Sequence, residues 1–208
     1  MYHRPMRHNR TEACGDVTAF ILAGGKSTRM GTEKAFVELD GRNLLFRALD
    51  LTRAITPNVR IVGSRGKFSN HGSVIEDVFR DCGPLGGIHA ALRVSETELN
   101  LALAVDMPLV SPSFLRYLIG QAAAATELAI VPRCDGRLQP LCAIYRREFG
   151  DAAERALRKG RNKIELVFDE VSIRVIEGDE MARAGFSCDM FRNLNTPEEL
   201  RASKKSTR

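Results

Sequence analysis

A glycine-rich segment near the N-terminus combines residue types that bind phosphate groups. It reads LAGGKSTRMG over residues 22–31 and is followed by Lys34. Glycines let backbone N–H groups approach phosphate oxygens closely, and Arg29 and Lys34 add two cations. A triphosphate needs several negative charges neutralised together. The segment therefore favours a triphosphate site over an ordinary strand-to-helix turn with surface basic residues.

Two familiar phosphate-binding loops do not fit this segment. A P-loop needs a glycine five positions before the Gly-Lys-Ser triplet that starts at Gly25, and Phe20 stands there. The dinucleotide fingerprint G-x-G-x-x-G fails because Gly24 and Gly25 are adjacent. The segment belongs to neither class.

A second candidate is a carboxylate that follows an apolar run. Asp106 comes directly after Leu101–Val105. Ligands bind beyond the carboxyl ends of parallel strands, so Asp106 is expected at the same edge as the glycine turn. Mg²⁺ prefers one or two carboxylates together with phosphate oxygens and waters, which makes Asp106 a candidate metal ligand. The alternative is that Asp106 caps the next helix, since Asp-x-Pro often begins one.

These residues need a fold that brings the ends of several strands together. Apolar runs typical of buried strands occur at Val17–Ala23, Val59–Gly63, Leu101–Val105, Leu128–Pro132 and Val171–Ile176. Helical patterns lie between them, at Leu44–Ala54, Pro84–Val94, Ser113–Ala125 and Glu148–Lys159. This alternation predicts a three-layer α/β/α fold with a mostly parallel sheet. Leu138–Tyr145, after the turn signal at 135–137, predicts a strand or hairpin outside the alternation.

Length and charge bound the domain organisation. The 208 residues fit one α/β domain, expected at 17–202, between a disordered arm at 1–16 and a basic tail at 203–208. Residues 1–16 contribute +1 and residues 201–208 contribute +4, so the net charge of +5 lies entirely at the ends. A nucleic-acid surface would need a basic stripe on the folded body, so no nucleic-acid partner is expected. No apolar run approaches the ~20 residues of a membrane span, so no membrane is expected either.

The cysteines predict free thiols. The five cysteines are an odd number with no C-x-x-C pair, and the four histidines show no ligand spacing. This argues against a structural zinc site or a disulfide framework. Free thiols suit a reducing cytoplasm, where we expect the protein to act. Thr196-Pro197-Glu198-Glu199 predicts that a last short helix starts near residue 197.

The glycine-rich segment resembles nucleotidyltransferases that share the signature L-A-G-G-x-S-x-R-M-G-x(2–3)-K. The match is to the molybdenum cofactor guanylyltransferase family. Three further segments support it in order and spacing: Ile75-Glu76-Asp77 followed by GPLGGI at 83–88, VDMP at 105–108, and NLNTPEEL at 193–200. The resemblance covers roughly residues 17–200 and implies a Rossmann-like nucleotidyltransferase sheet.

The resemblance also implies an activity. GMP would pass from GTP to molybdopterin with release of pyrophosphate, and Mg²⁺ would be the cofactor. Arg29, Lys34 and Asp106 would be catalytic, with Asp106 holding the metal. The implied nucleotide-binding residues are Leu22, Ala23, Gly24, Gly25, Lys34, Asp77 and Asp106. Molybdoenzyme maturation proteins are possible partners.

The second-substrate side is implied at Arg137, Asn193 and Asn195. Each also fits a plain structural role, as a turn arginine or a helix-capping asparagine. One position departs from the family, because Val62 stands where several members carry an Asn that contacts the nucleotide.

Three alternatives stay open. A cytidylyltransferase on the same cofactor and a sugar-phosphate nucleotidyltransferase would keep the enzyme class. A non-catalytic GTP-binding cofactor carrier would bind without turnover. Gly24, where related cytidylyltransferases read L-A-A-G, and the Pro84-Leu85 segment both lean towards guanine.

Overall fold

A mixed sheet forms the centre of the molecule, which the computed structural model describes over residues 17–24 and 34–192. In that part of the chain the strands are β1 (Val17–Leu22), β2 (Glu38–Leu39), β3 (Arg42–Asn43), β4 (Val59–Val62), β5 (Val74–Ile75), β6 (Leu99–Ala104), β7 (Ala129–Cys134), β8 (Arg137–Leu138), β9 (Cys142–Arg146) and β10 (Ile173–Ile176). The helices are α1 (Leu44–Arg53), α2 (Arg65–Phe68), α3 (Gly83–Val94), α4 (Pro112–Ala123), α5 (Phe149–Arg158), α6 (Glu165–Phe168) and α7 (Gly178–Arg183), with 3₁₀ turns at Lys34–Phe36 and Cys188–Phe191.

The direction of the strands defines one functional edge. The sheet order is β10-β7-β9-β6-β1-β4-β5, with β8 paired to β7, while β2 and β3 form a separate antiparallel pair. Strands β4, β1 and β6 are parallel, and so are β4 with β5 and β7 with β10. Strand β9 is antiparallel to both β6 and β7, so β7 runs in the same direction as β6. Strands β1, β4, β5, β6, β7 and β10 therefore all end at the same side, called here the carboxyl edge.

Strand β1 shows why the buried strands are mostly apolar on both faces. Its residues Val17 and Ala19 pack in a cluster with side chains of α4, and Ile21 packs with side chains of α1. Phe20 points to the other face, where it packs with Ala90 and Ala91 of α3. Because both faces of the sheet are covered by helices, both sets of alternating side chains are mostly apolar, and the buried Thr18 hydroxyl is paired with Thr97. The three-layer α/β/α prediction is confirmed.

The helix boundaries follow local capping. Asn43 precedes α1, and its side chain accepts a hydrogen bond from the backbone N–H of Phe46 at 2.9 Å. Ser111 caps α4 in the same way through the N–H of Phe114 at 3.2 Å, with proline in the first turn. Such side chains satisfy backbone donors that the first turn of a helix leaves unpaired. The four predicted helices match α1, α3, α4 and α5 to within two residues at each end.

Some predictions lie outside the described residues. The arm at 1–16, the tail at 203–208 and the last helix near residue 197 are among them. Within the described ranges, no helix is long and apolar enough to span a membrane.

The prediction of free thiols is wrong for two cysteines. Cys134 and Cys188 form a disulfide whose Cα atoms lie 5.6 Å apart, and 54 residues separate them along the chain. No local spacing signals such a pair, because it forms only when β7 ends beside the Cys188–Phe191 turn. Cys82 and Cys142 remain free thiols, and burial raises the pKa of Cys142 to about 12.

Candidate active site

The turn after β1 lies between the ends of its two neighbouring strands. The N–H groups of Ala23 and Gly24 both donate to the carbonyl of Val62, at 2.9 and 3.1 Å. On the other side, the N–H of Val105 donates to the carbonyl of Leu22 at 3.2 Å. The start of the glycine-rich segment is thus fixed by backbone hydrogen bonds at the middle of the carboxyl edge, where a ligand is expected.

A lysine and an aspartate meet at this edge. The Lys34 ammonium forms an ion pair with the Asp106 carboxylate, and their side chains are 25% and 16% exposed. Lys34 begins the 3₁₀ turn that follows the glycine-rich segment, and Asp106 follows β6. Two of the three predicted catalytic residues therefore share one partly buried site at the same edge as the turn at Gly24.

Asp106 does not cap a helix. The next helix, α4, begins six residues later and is capped by Ser111. The Asp106 carboxylate therefore faces Lys34 without serving a helix end. This contradicts the alternative in which Asp106 is a structural cap and leaves a carboxylate available for a cation.

A glycine pair lets α3 pack closely on the Phe79 carbonyl and on Val62, beside Asp77. A Cβ atom added at Gly86 would lie 2.8 Å from the carbonyl oxygen of Phe79 and 3.6 Å from Asp77 Oδ2. One added at Gly87 would lie 3.3 Å from Val62 Cγ1 and 3.6 Å from Asp77 Oδ1. Burial raises the pKa of the half-buried Asp77 carboxyl. Gly86, Gly87 and the Asp77 carboxyl thus lie together at the ends of β4 and β5, and this group is called here the glycine cradle.

The opposite side of the edge carries a basic hairpin. Arg137 lines an open cavity of about 640 Å³ together with Arg133, Gly136, Leu138 and Glu165. Strand β9 lies between β6 and β7, so the ends of β6 and β7 are two strand spacings apart, ~10 Å. A molecule that reaches from Asp106 to Arg137 would have to cross the start of β9 at Cys142, because β9 is antiparallel to its neighbours.

A buried tyrosine helps to fix the loop that lies between Asp106 and Arg137. The Tyr145 hydroxyl donates to the carbonyl of Pro140 at 2.7 Å, and the N–H of Ala104 donates to the carbonyl of Leu141 at 2.7 Å. These bonds fix the loop before β9 against the strand that leads to Asp106.

Similarity to known proteins identifies the family. Residues 19–171 match the family described as the MobA-like NTP transferase domain. The chain belongs to this family. The molybdenum cofactor guanylyltransferase of Desulfosudis oleivorans is 32% identical over 187 residues, which cover 88% of this chain and 92% of that protein. The resemblance inferred from the sequence motifs is confirmed.

Solved structures agree with this assignment. The crystal structure of molybdopterin-guanine dinucleotide biosynthesis protein A from Archaeoglobus fulgidus superposes with a TM-score of 0.78 at 27% identity, covering 91% of this chain and 97% of that one. The 2-C-methyl-D-erythritol 4-phosphate cytidylyltransferase of Thermus thermophilus has a TM-score of 0.65 at 18% identity, covering 90% and 96%. The latter likeness shows a common fold alone.

The departure from the family at Val62 has a structural counterpart. The Val62 side chain is 2% exposed and packs with Phe20 and Ile75 in the core below α3. It presents an apolar wall to the glycine cradle. Ser64, two residues further on, is exposed, and its side chain makes no capping bond to α2. Its hydroxyl is therefore available just beyond the end of β4.

Several implied family residues lie outside the described ranges. They are Gly25 and Arg29 of the glycine-rich segment, and Asn193 and Asn195 near the C-terminus. Their roles remain predictions. Sequence reasoning missed the contact of Asp77 with Gly86 and Gly87, although two adjacent glycines inside a helix are a signal of close approach. It also missed Arg133 and Glu165, which no motif marks.

Proposed function

We propose that this chain transfers GMP from GTP to the terminal phosphate of molybdopterin and releases pyrophosphate. The observation that carries the proposal is the meeting of Lys34 and Asp106 beside the Gly24 turn. A cation and a carboxylate that serves no helix cap suit a triphosphate and its metal ion. Membership of the MobA-like family supports the same reading.

Asp106 is proposed as the ligand of Mg²⁺. The described residues contain no group of three or more His, Cys, Asp or Glu side chains that could hold a metal ion. One carboxylate nevertheless fits Mg²⁺, which takes its remaining ligands from phosphate oxygens and waters. When bound, the ion neutralises phosphate charge and orients the reacting oxygens. Asp106 would then exchange its contact with the Lys34 ammonium for a contact with the metal.

Lys34 is proposed to act on the leaving group. If Asp106 held the metal, the Lys34 ammonium could offset the charge that develops on the departing pyrophosphate. Arg29, in the same segment, is proposed to share this work. Both act as preorganised charges, which are worth most where charge develops in the transition state.

The reaction needs no strong general base. The attacking terminal phosphate is already anionic, so catalysis rests on positioning and charge neutralisation. Within the described ranges, His89 faces Glu154 between α3 and α5, and His71 contacts the rings of Phe36 and Phe46. Neither histidine is among the contacts of Asp106. This agrees with a mechanism that does not depend on proton abstraction.

The two substrates are proposed to occupy opposite sides of Asp106. The guanosine would lie against the cradle of Leu22, Gly87 and Asp77, on the α3 side. Molybdopterin would extend across the start of β9 towards the cavity that Arg137 lines. Asn193 and Asn195 are proposed on the same side, and molybdoenzyme maturation proteins would receive the product in the cytoplasm.

Pyrophosphate release with each nucleotide tests this proposal against its alternatives. The enzyme is mixed with molybdopterin and Mg²⁺, and GTP, CTP, ATP or UTP is added in separate reactions. Pyrophosphate release with GTP but not with the other three nucleotides supports guanylyl transfer. Release with CTP but not with the others would indicate a cytidylyltransferase. A sugar-phosphate nucleotidyltransferase would release pyrophosphate only when molybdopterin is replaced by a sugar phosphate. GTP binding without any release would mark a carrier.

A further inference from the structure

The Cys134–Cys188 disulfide lies on the proposed second-substrate side of the site. Cys134 is the last residue of β7, and Arg137 follows it across the tight turn at Asp135 and Gly136, both of which have positive φ. Cys188 begins the 3₁₀ turn Cys188–Phe191. The crosslink therefore joins the hairpin that carries Arg137 to the segment that leads towards Asn193.

Residues of β7 and of the start of α7 lie close to this crosslink. Cys134 is 5% exposed, and a Cβ atom added at Gly178 would lie 3.5 Å from Cys188 Sγ and 3.6 Å from the carbonyl of Arg133. The start of α7 therefore lies beside the disulfide, where a methyl group at residue 178 would make ordinary van der Waals contact with Cys188 Sγ. Next to it, Arg133 Nη1 donates to Glu177 Oε1 at 2.7 Å. Three chain segments thus meet at one covalent bond and one exposed ion pair.

Apolar contacts, and not only the disulfide, hold the Cys188–Phe191 turn to the core. Met190 and Phe191 are buried, and the ring of Phe191 packs edge-on to Phe114 with centroids 5.4 Å apart. These apolar contacts remain when the disulfide is reduced. We therefore expect the domain to stay folded after reduction. Reduction should still loosen the carboxyl edge at Cys134, because the exposed Arg133–Glu177 pair that remains there contributes little by itself.

We infer that the Cys134–Cys188 disulfide is a redox-sensitive positioning element, which holds the Arg137 hairpin in place for the second substrate. The inference rests on the proposed function for the identity of that substrate. In a reducing cytoplasm a disulfide is usually transient or redox-sensing rather than permanent, which suits a reversible role. Formation of the crosslink would favour GMP transfer, and its loss would weaken molybdopterin binding while leaving the GTP cradle intact.

The reductant is a dithiol, and the exchange is balanced. One thiolate of the dithiol attacks Cys188 Sγ, because Cys188 is the more exposed of the two residues. The sulfur–sulfur bond breaks, and Cys134 leaves as a thiolate that takes a proton from water. The second thiol of the dithiol then displaces Cys188, so the dithiol ends as a disulfide and both cysteines end as thiols.

Steady-state kinetics on oxidised and reduced enzyme test the inference. The wild type is treated with dithiothreitol or left oxidised, freed of reductant, and assayed at saturating GTP. We expect reduction to lower kcat/KM for molybdopterin by roughly tenfold to a hundredfold, because small misplacements of a binding group carry costs of this order. The Kd of GTP should not change. The double variant C134S/C188S should behave as reduced enzyme in both conditions, and Cys14→Ser, the matched control, should respond as the wild type does.

Equal kcat/KM values in the two redox states would overturn the inference. A parallel change in the Kd of GTP would also overturn it, since that would mark a general loss of structure. Hydrogen exchange supplies a readout that does not depend on the activity. Reduction should speed exchange in residues 133–142 and 184–192 and leave residues 59–63 unchanged. If neither redox state releases pyrophosphate, the proposed function fails, and hydrogen exchange alone then tests the inference. Unchanged exchange rates on reduction would refute the positioning role. Faster exchange confined to residues 133–142 and 184–192 would support it.

Discussion

Lys34 and Asp106 form an ion pair at the carboxyl edge of the sheet although 72 residues separate them along the chain. The pair places the last residue of the glycine-rich signature on the carboxylate proposed to bind the metal. In the nucleotide-free protein each charge neutralises the other. In the proposed mechanism, GTP with Mg²⁺ would offer each residue a new partner of opposite charge, so the two would exchange partners when substrate binds.

The first prediction separates the two lysines of the signature segment. Lys34→Ala should lower the rate of GMP transfer by on the order of 10²-fold or more, since it removes a preorganised cation from the transferred group. Lys26→Ala, the matched control in the same segment, should lose much less, because Lys26 is not at the position that ends the signature. Single-turnover pyrophosphate release measures both. Comparable rates for the two variants would contradict the assignment of Lys34.

The second prediction uses two helical glycines. In Gly86→Ala the new methyl group would meet the carbonyl oxygen of Phe79 at 2.8 Å, so the backbone must shift. We expect a loss of about 1–3 kcal/mol in the free energy of unfolding, as is typical of overpacking. Gly120→Ala is the control, because its Cβ meets nothing within 4 Å.

The control should change stability in the opposite direction. Alanine in place of an exposed helical glycine stabilises by about 0.5–1 kcal/mol. Urea unfolding of both variants measures the difference. If Gly86→Ala were as stable as the wild type, the close packing of α3 on the Phe79 loop would be refuted. A Gly86→Ala protein that still folds should also bind GTP more weakly, because the cradle beside Asp77 is displaced.

The third prediction concerns pH. Burial raises the pKa of Asp77, so the folded protein holds this proton more tightly than the unfolded chain does. Asp77 therefore favours the fold at low pH, and that contribution is lost as pH rises through its raised pKa. The melting temperature of the nucleotide-free wild type should fall, relative to Asp77→Asn, as pH rises from about 4 to about 6. Asp169→Asn, at the exposed end of α6, should keep the wild-type profile.

The same variant tests the cradle. Asp77→Asn should stabilise the nucleotide-free fold at neutral pH, because a half-buried charge is removed, and should weaken GTP binding. Isothermal titration with GTP and Mg²⁺ measures the affinity. An unchanged Kd would remove Asp77 from the nucleotide site.

The fourth prediction tests base selection. GTP with Mg²⁺ should raise the melting temperature more than CTP, ATP or UTP does. A ligand at ~100 times its dissociation constant adds roughly 2.7 kcal/mol to the free energy of unfolding. The motivation is Gly24 together with the Pro84-Leu85 segment. Equal shifts with GTP and CTP would contradict guanine selection while leaving the phosphate site in place.

The parts of the site that could be predicted are those signalled within a single segment. The run before Gly24 and the run before Asp106 are both apolar and both end in a polar turn, so each marks a strand end at the ligand-binding edge. The reversed direction of β9 and the Cys134–Cys188 disulfide depend on strand order instead. Strand order arises from packing between distant segments, and neither periodicity nor spacing reports it.

The same distinction explains the contacts that were missed. Asp77 was expected near the nucleotide from its motif alone. Its approach to Gly86 and Gly87 needs the crossing of α3 over the ends of β4 and β5, which no local pattern specifies. Sequence alone also leaves open whether Asp106 caps the next helix. In the structure Ser111 caps α4, which excludes that role, while the role of Asp106 as a metal ligand stays a prediction.

The last prediction concerns Asp106→Asn. Asparagine keeps the shape and one acceptor oxygen but removes the charge. If Asp106 holds Mg²⁺, the hard cation loses an anionic ligand, and its bridging of the phosphates weakens. GMP transfer should then fall by orders of magnitude while the fold survives. Because the defect would lie in metal affinity, excess Mg²⁺ should restore part of the rate.

Ser111→Ala is the matched control for this variant, since Ser111 is the residue that caps α4. Its loss should cost about 0.5–2 kcal/mol of stability and leave the Mg²⁺ dependence of the rate unchanged. Asp106→Asn should show the reverse: little change in stability beyond the loss of the Lys34 ion pair, and a large shift in the Mg²⁺ concentration at half-maximal rate. Near-wild-type transfer by folded Asp106→Asn at low Mg²⁺ would place the metal elsewhere, with Asp77 the next carboxylate to test.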